Sequence, residues 1–308
     1  MPLVRVPPEQ GTTLEDSTGT DTSVAVCIAV HGALAYFRAA NQAARSVLQH
    51  TGFDVLMAHG SGPRNVLHNT SRITQIPVSW EPENTHRAQR FLFKFAALAA
   101  CLRTTTSRYL ILLDADATIT APITENRLVQ ALQGRSLGMV EQTGIQGSEM
   151  GHTDFLNHYR DHALQWFENS RDPAPDPNSF HFYNSGVVVG TRDAFEAVVD
   201  WVETSTLGLE REHQVGEHMI TDQDYFQYWC NRLHPNNCTK LPWYWNHCEH
   251  WDASFPRPGA LITHFSNFCV GPRRLLPLRM WLTRRGGRPG QLLAARGNPL
   301  RFLWPASE

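Results

Sequence analysis

The run Leu110-Ile111-Leu112-Leu113 ends in Asp114-Ala115-Asp116. A spacing of two places both carboxylates on one face of an extended segment. In open α/β sheets, ligands bind beyond the carboxyl ends of strands. Two like charges there, with no Lys or Arg beside them in sequence, repel unless a cation or a proton intervenes. A divalent metal holding a diphosphate answers that repulsion economically. The plainer use of such a pair is a helix cap or a turn. His264 closes a second apolar run, Leu261-Ile262-Thr263. Imidazole with two carboxylates suits a borderline ion such as manganese, although a lone histidine is more often structural.

Three further groups have chemical content. Asp222-Gln223-Asp224 sets acids at a helix start, where the macrodipole favours them; the sharper use is an amide and a carboxylate presented into a cleft. Asn184-Ser185-Gly186 offers an amide for a polyhydroxylated ligand and a glycine for close backbone approach, or it is simply a strand start. Arg87, Arg90 and Lys94 lie on one helical stretch, with Arg90 and Lys94 four apart on one face. Cations there would neutralise a diphosphate; a solvated helix face is the alternative, and it is preferred for Arg87.

These residues need strands and helices to hold them. Val24 to Val30 has the length and apolarity of a strand, and Leu34 to His50 reads as a helix. Phe53 to Ala58 and Ile73 to Val78 are further strands. Arg87 to Leu102 is helical, with Phe91, Phe95, Leu98 and Leu102 at three- and four-residue spacing. Tyr109 to Leu113 is the all-apolar kind of strand buried on both faces of a parallel sheet. Alternation of strand and helix predicts βαβ units. Further on, Leu137 to Val140 and Phe182 to Gly190 are strands, and Asp154 to Asn169 a helix. The three prolines of Arg171 to Ser179 mark a loop. Asp193-Ala194-Phe195-Glu196 and Thr221-Asp222-Gln223-Asp224 have capping-box form and open helices reaching Thr204 and Leu233. Ala260 to Thr263 is a last strand. The fold class is α/β, a mixed and mostly parallel sheet flanked by helices.

Composition narrows the function classes. The 308 residues are 42% hydrophobic with a net charge of −2, enough apolar material for a full core. Bulk binding of nucleic acid is excluded by the lack of a basic excess. Lys94 and Lys240 are the only lysines against 25 arginines, which singles out Lys94. No apolar run approaches the roughly 20 residues of a spanning helix. Six cysteines are scattered, Cys27 and Cys101 read as buried thiols, and a cytoplasmic location is the default. Cys230, Cys238, Cys248 and His250 lack the spacing of a zinc site. His158 and His162 lack the acid of a metalloprotease helix.

The order of motifs is more specific than any one of them. Lys94, Leu113-Asp114-Ala115-Asp116, Asn184-Ser185-Gly186-Val187, Asp222-Gln223-Asp224, Leu241-Pro242-Trp243-Tyr244-Trp245-Asn246 and Thr263-His264-Phe265 follow one another. Together they resemble the family-8 glycosyltransferases, the group of glycogenin and the bacterial lipooligosaccharide α-galactosyltransferases. The resemblance spans about Val24 to Arg274. It implies a GT-A (Rossmann-like) fold, a nucleotide-sugar donor (usually UDP-linked), a manganese or magnesium cofactor and retention of anomeric configuration. By resemblance, Asp114, Asp116 and His264 are the metal ligands. Arg90, Lys94, Asp114, Ala115, Asn184 and Ser185 face the donor. Asp222 and Gln223 flank the anomeric carbon, and Val30 and His31 close the first strand against the nucleobase. Where the family often reads His-x-x-Gly-x-x-Lys, this chain has His264 followed by Gly271, Arg273 and Arg274, so arginine is expected at the diphosphate. His31-Gly32 replaces the acid that often follows the first strand.

The expected organisation is a loose tail over 1–22, a GT-A catalytic domain over 23–270 and a basic, aromatic extension over 271–308. The extension holds eight arginines and one acid. Such a mixture suits peripheral association with an anionic membrane, and equally a tail packed on the domain. A non-catalytic sugar-nucleotide binder and a donor-hydrolysing enzyme of the same fold are the rival functions. The acceptor (glycan, lipid, peptide or small molecule) leaves no signature, and 142–180 is the segment expected to shape its site.

Overall fold

The fold was read from a computed structural model that describes residues 23–79, 89–142, 167, 179–204, 221–248, 258–265 and 276–284. The elements in chain order are β1 (Val24–Val30), α1 (Leu34–His50), β2 (Asp54–His59), β3 (Ile73–Pro77), α2 (Gln89–Thr104), β4 (Tyr109–Asp114), β5 (Ala117–Ile119), α3 (Glu125–Leu132), β6 (Leu137–Glu141), β7 (Tyr183–Thr191), α4 (Arg192–Thr204), α5 (Asp222–Tyr228), β8 (Cys238–Leu241), β9 (His247–Cys248), β10 (Ile262–His264) and α6 (Leu276–Arg284). Among the described residues, seven strands form one mixed sheet, ordered β3-β2-β1-β4-β7-β6-β8. Pairings from β3 through β4 are parallel; β7 runs antiparallel between β4 and β6, and β8 is parallel to β6. Three short strands, β5-β10-β9, make a second sheet beside it.

The period of two in the strands divides the core. Ala25, Cys27, Leu56, Ala58, Leu110 and Leu112 join one apolar cluster with α2, α4 and α5. Their neighbours Val24, Val26, Ile28, Val55, Met57, Ile111 and Leu113 join another with α1, α3 and α6. Central strands so sandwiched have no polar face, which is why VAVCIAV and YLILL read as continuous apolar runs. Helix α1 buries Phe37, Ala40, Ala44 and Val47, a stripe at helical spacing.

The sequence-derived elements stand within a residue or two of these bounds, with some differences. Helix α4 starts at Arg192, and Thr191 Oγ1 accepts from the Ala194 backbone N–H at 3.3 Å. Glu196 pairs with Arg192 at 2.8 Å. Thr221 and Asp224 do form a capping box on α5, which winds into a π-helical turn at Trp229–Leu233. The periodicity of the sequence did not disclose β5, β8 or β9, strands of two to four residues. The helix expected over Asp154 to Asn169 and the loop before Ser179 fall almost wholly outside the described residues, as do His158, His162 and His250. Cys27, Cys101 and Cys248 are buried thiols, whereas Cys230 and Cys238 form a disulfide between the π turn and β8. That pairing was not expected from scattered spacing, and disulfides persist in oxidising compartments. Among the described residues no helix is long and apolar enough to cross a membrane.

Candidate active site

The carboxyl ends of β1, β2 and β4 lie side by side: Val30 is level with His59, and Ala29 with Asp114. Between β1 and β4 the chain order reverses, the place where open sheets form a crevice. Strand β7 arrives there antiparallel, with Val187 opposite Leu113. Its pairing with β6 then shifts: Met139 faces Val188 but Val140 faces Asn184. Ser185, Gly186 and Val187 bulge between those pairs, and bulges re-aim side chains. Here the bulge turns Asn184 and Ser185 toward the end of β4.

Lys94 projects from α2 into this cluster and is 9% exposed. Its Nζ lies 2.7 Å from Asp114 Oδ1, 2.5 Å from Asp222 Oδ2 and 3.2 Å from the Ser185 carbonyl oxygen. All three ammonium protons therefore have acceptors. Asp222 Oδ2 also accepts from Ser185 Oγ at 2.7 Å. The acids of Asp114-Ala115-Asp116 are thus not left to repel, because an element 20 residues earlier in the chain supplies the lysine that the local sequence lacks. Burial would lower the Lys94 pKa, yet Asp114 and Asp222 hold it above its ordinary value.

On the other side of the acids stands His264, 3% exposed. Its Nε2 is 3.3 Å from Asp116 Oδ1 and 3.7 Å from Asp114 Oδ2. One ligand atom from each of the three lies within 4.8 Å of the others. The small sheet makes this convergence: β10 pairs with β5 so that His264 sits opposite Ala117, and the Phe265 N–H donates to the Asp116 carbonyl at 3.0 Å. Asp114 is the most open of the three side chains, at 27% exposure. Burial pushes its carboxyl up to about 6, Lys94 and His264 opposing and Asp116 and Asp222 adding to the rise. For His264, burial favours the neutral ring, but Cys248 and Asp116 overcome it and hold the pKa well above the ordinary value.

The donor set fits a divalent cation. Two carboxylates and one imidazole match the hard-to-borderline preference of manganese or magnesium. His264 Nδ1 lies 3.2 Å from Asn246 Oδ1 and 3.7 Å from Cys248 Sγ, an outer layer of the kind that orients metal-binding histidines. Gly186 is required beside it: a Cβ there would overlap the His264 ring and come 2.9 Å from Asn184 Oδ1.

Asn184 Nδ2 donates to Gln223 Oε1 at 3.1 Å, and Gln223 Nε2 reaches Gln142 Oε1 at 3.4 Å. Helix α5 is braced for this by two amides. Gln227 bonds the Tyr183 backbone in both directions, and Asn231 does the same for His181. Val30 ends the neighbouring strand β1 and His31 follows it, with the His31 ring 4.7 Å from Phe93 on α2. Arg90 lies on α2, one turn before Lys94. Arg87, Gly271, Arg273 and Arg274 fall outside the described residues.

Of the sequence-derived candidates, the structure joins Lys94, Asp114, Asp116, Asn184, Ser185, Asp222, Gln223 and His264 in one hydrogen-bonded group, with Ala115 inside it. Sequence reasoning missed Gln142 and Asn246, both buried there. Asn246 closes the Leu241 to Asn246 motif; Gln142 opens the segment 142–180 expected to shape the acceptor site, with nothing that singled it out as a residue.

Mouse xyloside xylosyltransferase 1, in its apo form, is a structural neighbour. It superposes with a TM-score of 0.46 at 15% identity, covering 79% of this chain and 97% of that one. No protein-family pattern and no curated protein sequence matches the chain. What the site does follows from its own residues.

Proposed function

We propose that the chain is a GT-A glycosyltransferase that moves a hexose from a nucleotide sugar, foremost a UDP-sugar, to an acceptor hydroxyl with retention, and needs manganese or magnesium. One observation carries this reading: a triad able to hold a divalent cation meets the Lys94–Asp222–Ser185 cluster and the Asn184–Gln223 pair at one sheet edge. A helix-capping role for the acids would not require that convergence. A pure binder has no need of both the Asp114, Asp116 and His264 triad and the Asp222 and Gln223 pair.

Asp114, Asp116 and His264 would hold the cation, which supplies positive charge to a leaving diphosphate. Val30 and His31 would border the nucleobase; Arg90, Arg273 and Arg274 with Gly271 would serve the phosphates. Asn184 would hold the donor sugar through the side chain that the β7 bulge aims. Asp222 is fixed by Lys94 and Ser185 on the same oxygen, so its charge is preorganised. Preorganised charge of this sort steadies a developing oxocarbenium centre without reorganisation. Lys94 and Ser185 both engage Oδ2 of Asp222. In the proposed front-face attack, the acceptor oxygen bonds to the anomeric carbon as the phosphate oxygen departs on the same face and takes the proton; a covalent glycosyl adduct trapped on Asp222 would overturn this.

A nucleotide-sugar panel tests the reading, scored by thermal shift and nucleoside-diphosphate release with manganese and with EDTA. Metal-dependent stabilisation and turnover by one sugar nucleotide, lost in Asp116→Ala, is the expected result. Turnover that an acceptor never accelerates would favour a hydrolase, and stabilisation without turnover a binder. No response to any sugar nucleotide would end the proposal.

A further inference from the structure

Asn246 is wholly buried, follows the 3₁₀ turn Trp243–Trp245 and touches two candidate site residues at once. Its Nδ2 donates to Asn184 Oδ1 at 2.7 Å, and its Oδ1 lies 3.2 Å from His264 Nδ1. Side-chain amides and imidazoles do not reveal their polarity by shape. Here a backbone group fixes it. The Gly186 N–H, 2.9 Å from Asn184, can only donate, so the Asn184 atom facing it must be the oxygen. The Asn246 atom that meets the same oxygen must then be its NH₂. The Asn246 oxygen therefore faces His264, and the His264 Nδ1 must carry a hydrogen. With Nδ1 protonated, the lone pair of the neutral ring sits on Nε2, the nitrogen facing Asp114 and Asp116. On its other side, the same Asn184 donates to Gln223.

We infer that Asn246 is a positioning residue that selects the metal-binding tautomer of His264 and ties it to the orientation of Asn184, so that cation binding and donor binding are coupled through one amide. The inference rests on the metal-dependent reading above, but its chemistry concerns the apo protein as well. Ligand histidines are commonly oriented by a partner on the other ring nitrogen, and loss of such a partner weakens metal binding by about 10- to 100-fold. Asn246 differs from a simple partner because its own orientation is imposed by Gly186 through Asn184. Both ends of the amide are committed, so neither contact can reverse alone.

The test uses manganese alone, titrated into the full chain and followed by the electron paramagnetic resonance signal of the free ion. Asn246→Ala, checked for folding by its thermal melt, is expected to weaken manganese binding about 10- to 100-fold. Asn246→Asp keeps an acceptor toward His264 but sets two acceptor oxygens face to face at Asn184. It should retain the manganese affinity and weaken sugar-nucleotide binding. A second readout needs no metal: two-bond ¹H–¹⁵N correlation of labelled histidine at alkaline pH, with the His264 signal assigned by its loss in His264→Gln. Wild type should show the Nδ1–H form, and Asn246→Ala a mixture. Wild-type manganese affinity in folded Asn246→Ala, or an Nε2–H form in wild type, overturns the inference. Should wild type bind no manganese, the metal-dependent function falls, while the tautomer measurement still decides the role of Asn246. It decides likewise from wild type alone if the alanine variant does not fold.

Discussion

At the scale of single residues, the site is a balance of charges that a metal would reset. Burial raises Asp114 to about 6, and His264 holds its proton well above the usual range. Without metal, that proton lets His264 bridge the two acids. Stability from the His264 proton is present at low pH and lost as pH rises through the elevated folded value. The raised carboxyl of Asp114 acts in the same direction, its contribution being lost as pH climbs through about 6. A bound cation needs both groups deprotonated, so its affinity must rise with pH. Melting temperatures measured with manganese and with EDTA should therefore diverge as pH increases. Their difference should vanish below about pH 6, where Asp114 takes up a proton. A manganese shift that stays constant from acid to alkaline pH would show that these residues are not the ligands. Much of this site was legible as residues: the Asp114-Ala115-Asp116 pair ended one apolar run and His264 another. Their balance was not legible, because Lys94 meets Asp222 across 128 positions of sequence. No local pattern encodes that meeting.

At the scale of elements, the site depends on irregularities more than on regular strands. Runs such as VAVCIAV announce themselves, since a strand covered on both faces must be apolar throughout. The β7 bulge and the two-residue strand β9 have no such signature, yet they aim Asn184 and bring Cys248 level with His264. Gly186 is where this becomes measurable. Its missing Cβ is the space taken by the His264 ring, with Asn184 Oδ1 alongside. Gly186→Ala should cost about 1–3 kcal/mol by urea unfolding, the usual price of overpacking, and should abolish manganese binding by displacing His264. Gly52→Ala provides the control, since nothing lies within 4 Å of a Cβ there. Unchanged manganese affinity in Gly186→Ala would mean that His264 needs no close approach to β7. The capping box at Thr221 and Asp224 shows the opposite case. A local motif written in four consecutive residues was readable, and it places Asp222 and Gln223 in the first turn of α5.

At the scale of the whole molecule, the basic C-terminal segment raises the question of what holds it. Its composition suited a membrane surface and a packed tail equally. Within it, α6 buries Leu276, Met280 and Thr283, one stripe at spacings of four and three, against the cluster that contains α1 and β5. Arg279 lies over the Phe265 ring at 5.2 Å, one residue beyond His264. This helix is thus part of the core on the α1 side, and it borders the strand that carries the third candidate ligand. Met280 is completely buried, so Met280→Ala should destabilise the chain by about 2–5 kcal/mol in urea unfolding, the range for truncating buried methionine. Removal of 271–308 should do more: it uncovers the apolar side of α1 and frees Phe265, so manganese binding should weaken together with stability. A segment that served only to meet a membrane would behave differently. Its removal would leave the urea midpoint and the manganese affinity unchanged and would abolish flotation with anionic liposomes. The two accounts make opposite predictions for the same pair of proteins. The buried stripe favours the first for α6, whatever the arginines beyond Arg284 do at a lipid surface.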